Sequence, residues 1–303
     1  MQEKLVNFEE IRKNNFKSFL LLFLFFMLIA VLGSVIGLIF LGDFLFGLII
    51  ALVIGIIYSI IAWFSGADML VGLTKAKLVS KKEQPYLVNT VEGLALAAGI
   101  KTPKTYIIED SAMNAFATGR DPKNSVIVVT SGLLKNMKRD ELEGVIAHEM
   151  SHIKNYDIRT MMIAAVMVGI IVLLSDIMLR SFIFGGGRRD SRGDGQAQII
   201  MIVIGIALAI LAPLIAQLMK LAISRKREFS ADAGAAVLTR YPQGLANALK
   251  KIENDPDPLV ESANRATAHL FISTPFKKHA GFMTNLFSTH PPIEERIKRL
   301  EAM

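Results

Sequence analysis

Cysteine is absent from the 303 residues, histidine occurs only five times and tryptophan once. Without cysteine there is no disulfide framework, no thiolate zinc site and no thiol nucleophile. Any imidazole-ligated metal centre must draw on those five histidines. Charge is also sparse: charged residues make up 20% of the chain against 52% hydrophobic residues. With a mean hydropathy of +0.44, the composition is too apolar for an ordinary soluble enzyme. Acidic residues are outnumbered, 27 against 34 basic, for a net charge of +7. A nucleic-acid partner would call for a basic patch interleaved with aromatics, and none is present. A cation excess beside membrane segments follows instead from the positive-inside rule. The expected partner is therefore the lipid bilayer, and no nucleic acid.

The apolar excess is concentrated in four blocks. The first runs from about Phe19 to Leu41 and the second from about Phe44 to Phe64, each long enough to span ~30 Å of hydrocarbon as a helix. Only Gly42-Asp43 separates them, which predicts a tight helical hairpin. Glu3, Glu9 and Glu10 in the leader, and an apolar run too long for a cleaved signal, make the first block a retained anchor. The third block, about Thr160 to Phe184, contains Asp176 and Arg180 at i,i+4 spacing. The fourth, about Ile199 to Ile223, contains Pro213 and Gln217. These two are either membrane spans or buried helices packed on a domain. Gly185-Gly186-Gly187 and the Arg/Asp-rich stretch after it predict a flexible connection.

The remainder has the texture of a folded domain. Leu87, Val91, Leu94 and Ala97 repeat at helical spacing, with Gly99 as a stop. Thr105 to Ile108 and Val126 to Val129 are β-branched runs that predict strands, and Ser131 is placed to cap the helix that follows. Arg139 through His152 predicts another helix, with Leu142, Val145, Ile146 and Met150 on its apolar face. Further helices are expected over Glu228 to Thr239, over Gly244 to Asn254 and from Pro292 onward, the last with Ile293, Ile297 and Leu300 on one face. Asp255 to Asn285 shows little regular pattern. Four segments result: an anchor hairpin over 1–70, a first part of a catalytic domain over 71–158, a second hydrophobic hairpin over 159–224 and a second catalytic part over 225–303.

Cations flank the blocks unevenly. Lys4, Arg12, Lys13 and Lys17 precede the first, Lys75, Lys77, Lys81 and Lys82 follow the second, and Arg225, Lys226 and Arg227 follow the fourth. By parity all three groups fall on one side, which the positive-inside rule makes cytoplasmic. Arg188, Arg189 and Arg192 then fall on the opposite side, against the rule.

The sharpest chemical signal is His148-Glu149-Met150-Ser151-His152. Positions i and i+4 share a helix face, so both imidazoles reach one metal ion, and the glutamate between them is placed to take a proton from attacking water. Bound zinc lowers the pKa of water to about 7 and so supplies a nucleophile at neutral pH. Hydrolysis at zinc needs a third protein ligand, which without cysteine must be His, Asp or Glu. Glu228, in Arg227-Glu228-Phe229-Ser230-Ala231-Asp232, is the best source. It opens a helix directly after the fourth block, as the HExxH helix ends just before the third. If those blocks form an antiparallel hairpin, their outer ends meet. Asp232, one turn on, would accept the second N–H of a ligand histidine. A membrane scaffold holding metal structurally is the competing class, but such a site has no use for Glu149.

This HExxH, a hydrophobic hairpin, then Glu-Phe-Ser-Ala-Asp, then Ser288-Thr289-His290-Pro291-Pro292, is similar to the HtpX family of bacterial membrane metallopeptidases. These are relatives of the CAAX prenyl-protein endopeptidases. The resemblance extends over nearly the whole chain, including Asn114-Ala115-Phe116-Ala117-Thr118-Gly119. It implies an α+β, gluzincin-like metallopeptidase domain combined with transmembrane helices. It also implies one Zn2+ ion per subunit and quality control of membrane proteins under stress. His148, His152 and Glu228 carry over as ligands and Glu149 as base. Asn114, Ala115, Phe116 and Ala117 resemble the edge strand on which such enzymes lay substrate backbone. His290 and Arg296 match positions near the scissile carbonyl, where a donor would stabilise an oxyanion; a helix cap is the other reading of His290. Prenyl-protein processing is the alternative function within the resemblance, and four blocks favour the HtpX side.

Overall fold

The structure, a computed structural model, describes residues 2–167, 169, 225–255, 270–272 and 291–303. Most of the third apolar block, all of the fourth, the glycine-rich connection between them, and His269, His279 and His290 lie outside the described residues.

Two long helices form the amino-terminal hairpin, α1 (Gln2–Leu41) and α2 (Phe44–Leu73). Asp43 caps α2 by accepting from the backbone N–H of Leu45 and Phe46, two of the donors that a helix start leaves without partners. The hairpin closes on glycine. A Cβ on Gly37 would come within 2.5 Å of the Gly47 Cα, and one on Gly33 within 2.8 Å of the Gly47 carbonyl. Gly33 and Gly37 thus form a small-xxx-small seam that lets the backbones touch, a packing suited to lipid, where no hydrophobic force draws helices together. The outer face of α2 is left bare: Ile49, Ile54, Ile57, Ile60 and Phe64 are all exposed. Contiguous apolar surface of that extent belongs against acyl chains or a partner.

The second helix does not stop at Phe64, as its apolar run suggests. It continues to Leu73, and its last turns enter the catalytic core, with Leu70 and Val71 buried there. Gly66 rests against the side chain of Met162. Arg120 lies over the Phe64 ring and Arg159 over Trp63, so cations and aromatics mark the level where hairpin meets domain.

A four-stranded sheet follows, in the order β1 (Lys77–Leu78), β2 (Lys104–Ile108), β4 (Asn124–Thr130), β3 (Ala115–Asp121). Strands β2 and β4 run parallel, while β3 pairs antiparallel with β4 and forms an edge. Helix α3 (Pro85–Ala98) ends at Gly99 in a left-handed conformation, φ 70°. Its buried face is Leu87, Val91, Leu94, Ala95 and Ala98. Ala97 is exposed, because the 3.6-residue period carries the stripe to Ala95 and Ala98 instead. Helix α4 (Ser131–Asn136) is capped by Thr130, whose hydroxyl accepts from the Leu133 N–H at 3.2 Å. Ser131 was expected in that role. It already belongs to the helix, and its hydroxyl bonds the Asp110 carbonyl.

Helix α5 (Arg139–Lys154) carries the HExxH sequence through the core. Glu141 reaches back to the Lys138 N–H at 2.6 Å and also binds Lys251, fixing the first turn. A helical run over 157–167 comes next, followed among the described residues by α6 (Arg225–Thr239), α7 (Pro242–Glu253) and α8 (Ile293–Glu301). Glycines set how closely these approach α5. A Cβ on Gly144 would strike the Leu245 backbone at 2.6 Å, and one on Gly234 the Ser151 hydroxyl at 2.4 Å. The Gly234 contact draws α6 onto α5 beside His148 and His152.

Candidate active site and metal centre

Both histidines project from the same side of α5, their rings edge to face at 4.7 Å. The two Nε2 atoms lie 3.2 Å apart. Glu228, in the first turn of α6, brings Oε2 to 3.7 Å from His148 Nε2 and Oε1 to 3.6 Å from His152 Nε2. An ion held tetrahedrally at about 2.0–2.1 Å separates its ligands by about 3.3–3.4 Å. Each Glu228 oxygen thus faces one imidazole nitrogen, and ligand atoms of the three residues lie within 4.8 Å of one another, close enough to converge on such an ion after a modest shift. The two-nitrogen, one-carboxylate set suits zinc. All three side chains are buried. Burying this many ionisable groups together is costly unless a cation or dense hydrogen bonding compensates.

Each histidine is held from behind by a carboxylate. His148 Nδ1 lies 3.0 Å from Asp232 Oδ1, and His152 Nδ1 lies 2.9 Å from Asp157 Oδ2. Such contacts fix the tautomer that turns Nε2 toward the metal. Asp232 was in view from the sequence; Asp157 was not. It enters because Tyr156 takes a left-handed conformation, φ 61°. The chain reverses just after α5 and returns Asp157 to the helix it has left.

Arg296, fully buried, grips Asp232 with two bonds, Nε to Oδ2 at 2.9 Å and Nη2 to Oδ1 at 2.7 Å. Its Nη1 lies 3.6 Å from Glu228 Oε2 and 3.5 Å from the Ile272 carbonyl. Arg299, one turn on, stacks over Phe229 at 3.7 Å. The terminal helix α8 is thereby fastened to the helix that carries Glu228.

The electrostatics follow from these contacts. Burial alone would push Asp232 up, but the Arg296 charge and the His148 contact outweigh it and bring it down to about 2. Burial and Arg296 both disfavour an imidazolium at His148. In the metal-free protein the bonds to Asp232 and Glu228 nevertheless lift it to about 9. Glu149, on the same helix and almost fully buried, moves upward chiefly through burial, against the pull of the two histidines and of the Ala117 N–H that it accepts. A carboxylate moved in that direction is better matched to taking up a proton.

That last bond ties Glu149 to β3. Asn114, Ala115, Phe116 and Ala117 all lie at this edge with buried side chains. The outward carbonyl of Ala115 accepts from the Ile272 N–H at 2.9 Å, and Phe116 packs edge to face on Phe271. His290 lies outside the described residues.

Comparison with known proteins agrees with this geometry. Residues 81–303 match the profile of peptidase family M48, a span that contains both histidines and all four carboxylates just described. The chain belongs to peptidase family M48. Among relatives in the family, it is 53% identical to the protease HtpX homolog of Dictyoglomus thermophilum over 242 residues, 80% of this chain and 77% of that protein. It is 45% identical to the protease HtpX homolog of Lactobacillus helveticus over 250 residues, 81% of this chain and 83% of that one. The fold is similar to the solved structure of Ste24p from S. mikatae, with a TM-score of 0.50 and 21% identity. That match covers 93% of this chain and 62% of the other. Family membership makes the chain a metalloprotease, and its two apolar helices, Ile11–Ser34 and Phe44–Leu73, make it a membrane protein. It combines a mixed helix-and-sheet catalytic domain with two helices long and apolar enough to cross a membrane.

Proposed function

We propose that this M48 metalloprotease is a zinc-dependent endopeptidase of the bacterial cytoplasmic membrane that cleaves misfolded or damaged membrane proteins. One observation carries the reading: His148, His152 and Glu228 converge with ligand atoms within 4.8 Å of one another, and a buried carboxylate, Glu149, stands between the two histidines on the same helix. The relatives called protease HtpX homolog support the same class. His148, His152 and Glu228 would hold one Zn2+, which supplies Lewis-acid polarisation and a water nucleophile at neutral pH. Glu149 takes a proton from the attacking water as its oxygen bonds to the scissile carbonyl carbon. It then delivers that proton to the leaving nitrogen as the C–N bond breaks. Asp232 and Asp157 keep the imidazoles turned to the ion, and Arg296 holds Asp232 and Glu228 in register.

The edge strand β3 favours a sequence-tolerant way of binding extended substrate, because backbone pairing reads no side chain; at Ala115 the substrate would take the place that the Ile272 N–H now holds. Damaged proteins without a common sequence call for that tolerance. The cations before α1 and after α2 favour a catalytic domain on the cytoplasmic face. The bare apolar face of α2 favours a site beside the bilayer, where membrane-protein substrates would be found. The test is degradation of a misfolded membrane protein by the purified enzyme, with and without zinc, beside Glu149→Gln. The variant should keep its zinc and lose nearly all cleavage; wild-type turnover at equal zinc content would overturn the assignment.

A further inference from the structure

Asp157 is a carboxylate buried to 2% exposure, and it needs donors on both oxygens. One oxygen serves His152. The other, Oδ1, accepts from Asn14 Nδ2 at 2.7 Å and faces Arg227 Nη1 at 3.5 Å. Asn14 sits on the membrane helix α1. It is itself 1% exposed, and its amide also donates to the Asn155 carbonyl at 2.9 Å, in the turn that follows α5. One turn further along α1, Ser18 bonds Thr160. Deeper still, Leu21, Phe25 and Leu28 pack on Ile163, Ala164 and Met167. Asn14 stands in the polar start of α1, where its neighbours Arg12, Lys13 and Asn15 are exposed; an amide there that is instead fully buried and aimed at the carboxylate behind a metal ligand is more than an anchor requires.

We propose that Asn14 is a positioning residue of the metal centre, so that membrane helix α1 completes the second support of His152 through Asp157. The inference rests on the zinc reading above. Asn14 settles Asp157 Oδ1, which leaves Oδ2 to the histidine and fixes the rotation of the carboxylate. Its second bond, to the Asn155 carbonyl, holds the left-handed turn at Tyr156 against α5. An anchor helix drawn away from the domain would therefore loosen the metal ligand as well as the tether. The soluble part of the chain is incomplete as a metal site without it.

The test uses the full-length, detergent-purified protein and reads zinc dissociation constants by chelator competition, together with the visible absorption of the Co2+-substituted protein. Asn14→Leu keeps the volume and removes the donor. Loss of an outer partner typically costs about 10–100-fold in metal affinity, and Asn14→Leu should fall near the lower end, with shifted cobalt bands. Asp157→Ala should abolish its effect, the double variant binding no more weakly than Asp157→Ala alone. Ser18→Ala cuts the same helix-to-domain docking without touching Asp157, and should leave affinity and bands at wild-type values. Wild-type affinity in Asn14→Leu, an equal loss in Ser18→Ala, or additive losses with Asp157→Ala would each overturn the inference while leaving the zinc reading intact. A wild-type protein that binds no zinc would overturn both.

Discussion

His148 and His152 are the same residue one turn apart on one helix, yet they are supported by different kinds of structure. His148 is backed by Asp232, and Asp232 by Arg296, all within the catalytic domain and closed by a bidentate guanidinium. His152 is backed by Asp157, whose partners are a neutral amide from the membrane helix and the more distant Arg227. The first support is a charged network within the domain, and the second spans the junction of domain and membrane. The difference shows that a symmetrical ligand pair can have unequal dependencies. One histidine relies on a buried ion pair, the other on how α1 is seated.

Removing what the two supports share has the largest effect. Glu228 closes the ligand triangle from α6, so Glu228→Ala should lose zinc during dialysis, whichever support remains. Metal content by atomic absorption checks this, and retention equal to wild type would send the search to another carboxylate.

The charged support should then prove the more costly to break. Arg296→Met leaves Asp232 buried beside Glu228 without its counter-charge. Breaking a buried pair by removing one partner costs about 3–5 kcal/mol. Denaturant unfolding of the metal-free domain should show a loss of that order. A loss under about 1 kcal/mol, as at an exposed pair, would mean that Arg296 does not hold Asp232 as the geometry indicates. The matching cut on the other side, Asn14→Leu, removes only a neutral donor and should cost less stability.

At the level of the two carboxylates the supports should converge. Asp232→Asn and Asp157→Asn each remove the charged acceptor behind one imidazole, and each should weaken zinc by about 10–100-fold. Chelator competition at pH ~9 compares them with least interference from protons. If only one variant weakens binding, the ligand pair depends on a single support.

How much of this was legible beforehand depends on distance along the chain. The HExxH pair needs only the helical period, and Gly99, Thr105 to Ile108 and Val126 to Val129 are local signals that fell where the structure has them. Glu228 was within reach because two apolar blocks of similar length should bring their outer ends together. Asp157 was not, although it lies only five residues beyond His152. Its approach depends on a left-handed turn at Tyr156, a residue with no special preference for that conformation, and on an amide 143 residues away. Gly33 and Gly37 take on meaning only with Gly47 of α2 opposite them. Arg296 was matched to the scissile carbonyl through a resemblance, whereas the structure commits two of its three nitrogens to Asp232. Side chains that act through other side chains leave no period to read.

The smallest effect is also the most specific to one support, and it concerns pH. In the metal-free protein His148 is lifted to about 9 by Asp232 and Glu228, against burial and Arg296. A folded-state value above the ordinary ~6.5 contributes stability that is fully present below that pH and fades as pH rises through about 9. Metal binding runs the opposite way, because zinc needs the nitrogen that the proton occupies. Zinc affinity should therefore climb with pH, by at most about tenfold per unit for one displaced proton, and level off above about 9. Asp232→Asn removes the carboxylate charge and leaves the Arg296 charge facing the ring, so its His148 proton should leave at lower pH. The affinity curves of wild type and variant should then lie far apart near pH 9 and draw together toward neutrality, where the variant is spared competition that still burdens the wild type. Titrations at several pH values, with proton release measured in two buffers of different ionisation enthalpy, decide it. Curves that stay parallel would mean that Asp232 orients His148 without governing its proton.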